Sequence, residues 1–253
     1  MSTDLIRMSP HDRPDYRELI ASVSETVWPE FMHHDPVAGE HWDGLFENFG
    51  EYQFAFLGPG GKRVVGIANS VPLAWDGSVE NLPEEGWDWA LIQSARDRGN
   101  GRVPKILCAI QISIHPQFQG RGLSTLLLRE MLELARRRGL SQLIAPVRPS
   151  LKHRYPLTPM DSYIRWMDNA GMPYDPWLRV HVREGGRIVK VCHRAMQIVG
   201  SLSEREEWTG MRFPDDGSYV VPGALDPIRV DTGQNRRTYV EPNVWMLHIP
   251  KQV

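Results

Sequence analysis

The strongest constraint on the fold lies mid-chain, where a nearly continuous apolar run precedes a glycine turn and an amphipathic helix. The run, 105–115, is typical of a central strand covered on both faces. After the turn, Leu123, Leu127 and Met131 recur at helical spacing, and residues 143–147 form another apolar run. Strand, turn, helix and strand predict a βαβ unit with a right-handed crossover.

Side-chain alternation along the first run predicts which residues share a face of the sheet. One face receives Cys108, Ile110, Ile112 and Ile114, and the other receives Leu107, Ala109, Gln111 and Ser113. The polar pair of Gln111 and Ser113 falls near the C-terminal end of the run. We therefore expect that end of the strand to border a cavity.

The glycine turn predicts a binding site for a pyrophosphate. Gly120 and Gly122 allow the main chain to approach a ligand and to adopt positive φ. Successive N–H groups then converge at the positive end of the helix dipole. The turn is not a Walker loop, because no Lys-Ser/Thr pair follows Gly122. It is shorter than the dinucleotide fingerprint, and no acidic residue ends the next strand to bind a ribose.

Hydrophobic periodicity and capping residues predict the remaining elements. We expect a helix that begins near Asp12 and Pro14, and further helices over 36–49, 82–98 and 204–208. Another is expected to begin after Thr158, its N-cap, with a capping box to Asp161, and to end before Gly171. A last one is expected to run from Asp175 to Gly185. We expect strands over 3–8, 51–57 and 63–71 with a turn at 58–61, then over 188–193, 219–221, 228–230 and 244–249.

Composition narrows the class of protein. Apolar residues make up 41% of the 253 residues and the net charge is −2, which counts against a disordered chain and against binding to nucleic acid through phosphates. Two cysteines cannot form a multi-bridge framework, and no apolar stretch reaches membrane-spanning length. We expect a cytoplasmic protein with no nucleic-acid or membrane partner.

The histidines near residue 33 raise the question of a metal site. His33, His34, Asp35 and His41 lie close together in the sequence, but adjacent histidines rarely bind one ion, and no HExxH or CxxC pattern supports them. We interpret the segment as a solvated loop and predict no metal.

Two stretches resemble the GNAT superfamily of acyl-CoA-dependent N-acyltransferases. Residues 114–124 are similar to that family's strand ending in His-Pro, followed by Arg/Gln-x-x-Gly-x-Gly/Ala. Residues 175–188 resemble its last core helix and the strand after it. The resemblance implies an α/β fold with a mixed, mostly antiparallel, twisted central sheet flanked by helices.

The resemblance does not cover the whole chain. We expect one domain over 1–253, with a core of about 1–195. That core carries a tryptophan-rich insertion, 72–104, and a second insertion, 151–171. A C-terminal extension with added β structure follows over 196–253.

By resemblance, acetyl-CoA or another acyl-CoA is the co-substrate. The main chain of Ile112, Ser113 and Ile114 then binds the pantetheine arm. The pyrophosphate is held by Gln117, Phe118, Gln119, Gly120, Arg121, Gly122, Leu123 and Ser124. The amine attacks the thioester directly, without a covalent enzyme intermediate.

The resemblance also points to two catalytic positions. His181 falls where the family commonly has a tyrosine that protonates the leaving thiolate, and histidine can donate near neutral pH; the alternative is a histidine packed on the helix face. Gln111 falls where many members have a glutamate base. Glutamine is no base, so another group (Asp161, Tyr163 or Glu85) serves, or the amine has a low pKa, or the reaction is not amine acylation.

We expect the acceptor to be a small amine-bearing molecule beneath the tryptophan-rich insertion. Its predicted binding residues are Trp87, Trp89, Asp161 and Tyr163. One alternative is a catalytically silent acyl-CoA-binding sensor or scaffold. Another is an acyl-CoA enzyme of different reaction type, by O-acylation or decarboxylation. The sequence leaves open whether the protein forms a homodimer.

Overall fold

A seven-stranded sheet with neighbour order β1-β2-β3-β4-β5-β9-β6 forms the centre of the protein. The computed structural model describes residues 5–76, 78–231, 233 and 236–250. All neighbouring strands of this sheet are antiparallel except β4 and β5, which confirms the predicted mixed, mostly antiparallel α/β class. The strands are β1 Ile6–Met8, β2 Phe54–Leu57, β3 Val64–Leu73, β4 Ile106–Ile114, β5 Leu143–Val147, β6 Arg187–Ser201 and β9 Arg236–His248, with β7 Gly217–Tyr219 and β8 Ile228–Val230 in a separate two-stranded sheet.

The helices cover both faces of the large sheet. They are α1 Tyr16–Val27, α2 Pro36–Asn48, α3 Gly86–Gly99, α4 Leu123–Arg137, α5 Met160–Tyr163, α6 Pro176–Arg183 and α7 Leu202–Thr209. The apolar row of α4 is buried as predicted, and α4 joins the parallel strands β4 and β5. The Asp175 side chain caps α6 as predicted, accepting from Trp177 N and Leu178 N. None of the helices in the described ranges is long and apolar enough to cross a bilayer.

Strands and turns that local sequence patterns specify lie close to their predicted bounds. The hairpin of β2 and β3 turns through 58–61 as predicted, and β5 and β8 match their predictions. The first strand occupies Ile6–Met8; Thr3 and Asp4, where it was expected to begin, lie outside the described residues.

The helix predicted from Thr158 to Gly171 is wrong. Only the single turn α5 forms, with Pro159 rather than Thr158 at the N-cap and no side-chain cap bond. The chain turns back after it, and Tyr174 N donates to Trp166 O at 2.8 Å. Rings of Tyr155, Tyr163, Trp166 and Tyr174 pack together in this segment in edge-to-face or tilted pairs. Aromatic packing therefore decides the local structure rather than helix capping.

The stretch after residue 195 completes the central sheet. Strand β9 lies between β5 and β6, pairing from Leu143↔His248 to Val147↔Val244 on one side and from Arg187↔Leu247 to Ser201↔Arg236 on the other. Both β6 and β9 are much longer than the predicted 188–193 and 244–249. The two strands extend because they pair with each other across the sheet. Local periodicity in the sequence does not reveal such long-range pairing.

A bulge in β4 changes the predicted faces of the strand. Gln111 pairs with Asn69 but Ala109 pairs with Ser70, which leaves Ile110 as the extra residue. A bulge of this kind inverts the alternation beyond it. Cys108 therefore shares the face of Gln111, whereas alternation placed it on the opposite face.

Candidate active site

Strands β4 and β5 pair over a short distance only. Their register comprises Leu107↔Leu143 and Cys108↔Ile144, while β4 continues to Ile114 and β5 stays with β9. Residues 109–114 therefore have no strand partner on the β5 side. The predicted pantetheine residues Ile112, Ser113 and Ile114 lie in this free edge. Such an edge can bind an extended ligand through main-chain hydrogen bonds.

The turn after β4 is held by local hydrogen bonds. The ring Nδ1 of His115 accepts from Gln117 N at 3.2 Å, and the His115 carbonyl accepts from Phe118 N at 2.8 Å. Gly120 (φ +74°) and Gly122 (φ +76°) follow in the left-handed region, and Gly122 is the N-cap of α4. This backbone path needs glycine, because other residues rarely adopt positive φ.

Hydrogen-bond donors and positive charges lie close together where the turn enters α4. Within the described chain, no amide from 120 to 125 donates to another group. A Cβ added at Gly120 or Gly122 would meet nothing within 4 Å, and both glycines are exposed, so the turn has room for a ligand. The guanidinium groups of Arg63 and Arg121 lie 5.3 and 5.2 Å from the Phe118 ring centroid. Free amides, the helix N-terminus and two cations together suit a polyanion.

Gln111 belongs to a short polar chain on the face that carries α1. Its Oε1 accepts from Asn69 Nδ2 at 2.8 Å, and its Nε2 donates to Ser113 Oγ at 3.1 Å. Asn69 Oδ1 is buried and has no partner in the described structure. These bonds orient Gln111, whose amide cannot take a proton at neutral pH.

The bulge of β4 is tied to the tryptophan-rich insertion. Trp87 Nε1 donates to the carbonyl of the bulged residue Ile110 at 2.9 Å, and the ring stacks on Trp42 of α2 with centroids 6.2 Å apart. Trp87 therefore fixes the backbone where the sheet opens.

His181 is buried at a second imidazole. It is 1% exposed, and its Nδ1 lies 2.9 Å from Nε2 of His248 on β9. Burial holds the pKa of His181 well below its ordinary value and lowers that of His248 to about 4, so both rings are neutral at pH 7. His181 Nε2 has no partner in the described structure.

Of the four predicted acceptor residues, the structure brings only Trp87 to β4. Trp89 packs against Trp75 and Trp245 and lines a surface cavity near Lys105, at the far end of the strand. The other two make different contacts. Tyr163 donates to Asp175 at 2.9 Å, and Asp161 lies 2.9 Å from His193 Nε2.

The proposed replacement bases are engaged elsewhere. Glu85 pairs with Arg194, whose hydrogen bond lowers the pKa of that carboxyl. Burial raises the pKa of Tyr163, and its hydroxyl is committed to Asp175. The described His, Cys, Asp and Glu residues form no group of three suited to a metal ion.

Sequence reasoning missed three buried carboxyl groups. They belong to Asp35, the N-cap of α2, to Asp88 of α3 and to Glu241 of β9. Asp35 is 1% exposed, so its interpretation as part of a solvated loop is wrong. The signal for Asp35 was present, since an aspartate before Pro36 is typical of a helix N-cap.

Comparison with known proteins shows the family. The model of the acetyltransferase (GNAT) family matches residues 15–157. The arginine N-acetyltransferase avaD of Aspergillus versicolor is 29% identical over 266 residues, covering 93% of this chain and 91% of that protein.

Two solved structures share the fold. The loading GNATL domain of CurA from Lyngbya majuscula is 18% identical with a TM-score of 0.58, covering 98% of each chain. The GphF GNAT-like decarboxylase in complex with isobutyryl-CoA is 15% identical with a TM-score of 0.55, covering 98% of this chain and 99% of that one.

The family model spans more than half of the chain, and it includes β4, the glycine turn and α4. The resemblance seen in residues 114–124 is thereby confirmed, and the prediction of a transferase is favoured over that of a silent binding module. The chain belongs to the acetyltransferase (GNAT) family and is a GNAT-type N-acyltransferase.

Proposed function

We propose that the protein transfers an acyl group, acetyl in the first instance, from acyl-CoA to the nitrogen of a small amine. The observation that carries this proposal is the set of free amides over 120–125, directly after the unpaired edge of β4. A diphosphate joined to an extended amide-containing arm fits these two neighbouring features.

The donor is bound chiefly by main chain. The amides of 120–125 hold the diphosphate, with Arg63 and Arg121 adding positive charge beside them. The arm runs along Ile112, Ser113 and Ile114, whose edge has no strand partner. Its thioester then reaches the point where β4 and β5 diverge, next to the bulge at Ile110.

The reaction needs little covalent chemistry from the protein. The amine nitrogen forms a bond to the thioester carbonyl carbon, the carbon–sulfur bond breaks, and one proton passes from nitrogen to the thiolate. An N–H of β4 at the bulge stabilises the tetrahedral oxyanion. Trp87 keeps that segment in place through Ile110. Gln111 orients the neighbouring polar face rather than removing a proton.

His181 stabilises the departing thiolate as a hydrogen-bond donor. Since its pKa lies well below the ordinary value, it is neutral at pH 7 and lacks the acidic imidazolium proton that a general acid would release. In the tautomer where His248 Nε2–H donates to His181 Nδ1, the N–H of His181 stands at Nε2, its unpartnered atom. The proton on sulfur then comes from the ammonium formed by attack.

The acceptor approaches from the face that carries Trp87. Arginine is the first candidate, because it is the substrate in the name of the avaD relative. Its α-amine is a nucleophile of the required kind once deprotonated.

The test is thiol release from acetyl-CoA in the presence of separate panels of amines and alcohols. We expect amine-dependent release with one acetylamide formed per thiol, detected by mass spectrometry. Release with alcohols alone would assign O-acylation. Loss of carbon dioxide from a malonyl-type acyl-CoA, without any amine product, would assign decarboxylation; either result overturns the proposal.

A further inference from the structure

Two aspartates that the reaction outlined above does not use lie side by side under the tryptophan-rich insertion. Asp35 is 1% exposed and Asp88 is 5% exposed. The Gln197 amide of β6 donates to Asp88 Oδ2 at 3.1 Å and also lies close enough to lower the pKa of Asp35. The two carboxyl groups therefore border the same backbone amide.

Among the described residues, no cationic side chain balances a negative charge on either aspartate. The nearby carboxyl of Glu241 pairs with Arg148 at 2.8 Å, but no described side chain forms an ion pair with Asp35 or Asp88. Burial raises the pKa of both aspartates, that of Asp88 to about 8. Buried carboxyl groups without a cation are costly, so a resident positive charge would stabilise them.

One carboxyl oxygen of each aspartate also lacks a hydrogen-bond partner among the described residues. Asp35 Oδ2 and Asp88 Oδ1 are buried and have no hydrogen-bond partner in the described structure. Their other oxygens accept from backbone amides, Asp35 Oδ1 from Ala38 N at 2.8 Å. The free oxygens therefore call for donors from outside the chain.

The side-chain amide of Asn243 on β9 also has an oxygen without a hydrogen-bond partner among the described residues. Asn243 is 1% exposed, its Nδ2 donates to the Pro146 carbonyl at 3.3 Å, and its Oδ1 has no partner in the described structure. It pairs in register with Cys192, whose sulfur lies beneath Gly86 at the start of α3. Asn243 thus lies on the sheet face that α3 covers, the face of Glu241.

When both aspartates are ionised, all three unpartnered atoms are acceptors. Their complement is a group with several N–H donors and a positive charge, which describes a guanidinium or an ammonium group. Without such a ligand Asp88, whose pKa is raised to about 8, holds a proton at pH 7; a bound cation replaces that proton and pairs with the carboxylates.

The location connects this group of acceptors to the reaction. Asp88 is next in sequence to Trp87, which donates to Ile110 at the bulge where the acyl donor is proposed to end. Because Asp88 and Trp87 are buried neighbours on α3, we expect an acceptor bound at the aspartates to have its nucleophile near β4.

We propose that Asp35 and Asp88, with Asn243 Oδ1, bind a second cationic group of the acceptor, so that the preferred acceptor carries a guanidinium or ammonium besides the amine that is acylated. This inference rests on the proposed function and adds the substrate class and its recognition residues. The aspartates bind; they do not touch the reacting atoms.

Matched acceptors that differ in the distal charge give the test. Arginine and citrulline differ in guanidinium against urea, and lysine and norleucine differ in ammonium against methyl. We expect the wild-type protein to favour the cationic member of at least one pair by about tenfold or more in kcat/KM, equivalent to about 1.4 kcal/mol. Equal use of both members of each pair would overturn the inference whether or not any variant folds.

Variants then locate the effect. Asp35→Asn and Asp88→Asn should reduce the preference to less than about threefold by raising KM for the cationic acceptor, since one charged hydrogen bond is lost. The loss should be larger for the cationic member of each pair than for the neutral member. Asp97→Asn is the matched control, because Asp97 is a buried carboxyl of the same helix that pairs with Arg102. If Asp88→Asn lowers activity with both members equally, the carboxyl acts at the reacting nitrogen and the inference is wrong.

The outcome is separable from that of the proposed function. Thiol release with norleucine but no cationic preference overturns the inference and leaves N-acylation standing. No thiol release with any amine overturns the proposed function. In that case calorimetric titration with arginine and citrulline decides the inference alone, tighter binding of arginine supporting it and equal binding contradicting it.

Discussion

The donor side and the acceptor side of the proposed site are built in different ways. The donor side is one continuous segment, 112–125, that works through backbone amides and an unpaired strand edge. The proposed acceptor side consists of side chains from three elements, namely Asp35 at the N-cap of α2, Asp88 on α3 and Asn243 on β9. A backbone site serves one constant ligand, whereas a side-chain site can change its ligand by substitution. The two sides should therefore respond separately to mutation.

The largest expected effect is on the donor side. Gly122→Val places a β-branched residue at φ +76° in the turn and should weaken CoA binding at least about tenfold, a loss of about 1.4 kcal/mol or more. Calorimetric titration with CoA measures the change.

Gly139→Val is the matched control for that variant. Gly139 has φ +68°, follows the other end of α4 and has open space around its Cβ position. Both variants should lose similar stability, about 1–2 kcal/mol for a left-handed residue. If Gly139→Val weakens CoA binding as much as Gly122→Val, the turn is not the donor site.

His181 is the proposed hydrogen-bond donor to the departing thiolate, and its replacement should affect turnover rather than binding. His181→Phe removes the N–H at the departing thiolate and should lower kcat for thiol release by at least about tenfold, within the usual range for such groups. CoA affinity should change little. The control is His34→Phe, since His34 stacks on Trp208 away from β4. A decrease of less than about threefold would show that His181 is structural.

Substitution of Trp87 tests whether the bulge in β4 contributes to the reaction. Trp87→Phe deletes the hydrogen bond to Ile110, worth about 1 kcal/mol, and should lower kcat about fivefold with unchanged CoA affinity. Trp75→Phe is the control, because Trp75 Nε1 has no partner among the described residues. Equal effects of the two substitutions on kcat would argue against a role for the bulge.

The smallest expected effect is a pH dependence of stability. His181 and His248 are neutral when buried, but in the unfolded chain they take up protons below about pH 6.5. The free energy of unfolding should therefore fall from pH 6.5 towards pH 4, by up to about 1.4 kcal/mol per pH unit for each ring.

Comparison with a variant isolates this contribution. Asp88, with its pKa raised to about 8, binds its proton more strongly in the folded state and opposes the trend. His181→Phe should keep that opposing effect and lose part of the slope in urea unfolding measured at successive pH values. An unchanged slope would show that His181 is not buried as a neutral ring.

The donor side could be predicted from the sequence because its determinants are local. The glycine turn, the apolar row of α4 and the parallel strand after it all lie within 105–147, and the structure has them as predicted. The bulge at Ile110 could not be predicted, because it depends on the register with β3. Alternation therefore placed Cys108 on the wrong face.

The acceptor side could not be predicted for a similar reason. Asp88 is near Glu241 only because β9 inserts beside β6, next to α3. No local pattern connects residues so far apart in the chain. Aromatic composition led us to expect the acceptor beneath the insertion, but it did not separate Trp87, which contacts β4, from Trp89, which lines a cavity near Lys105 at the other end of the strand.

A crystal structure of the protein with acetyl-CoA tests the central claim most directly. We predict diphosphate oxygens within hydrogen-bond distance of the amides of 120–125, and the pantetheine arm along Ile112, Ser113 and Ile114. A nucleotide bound elsewhere, with these amides still solvated, would contradict the account.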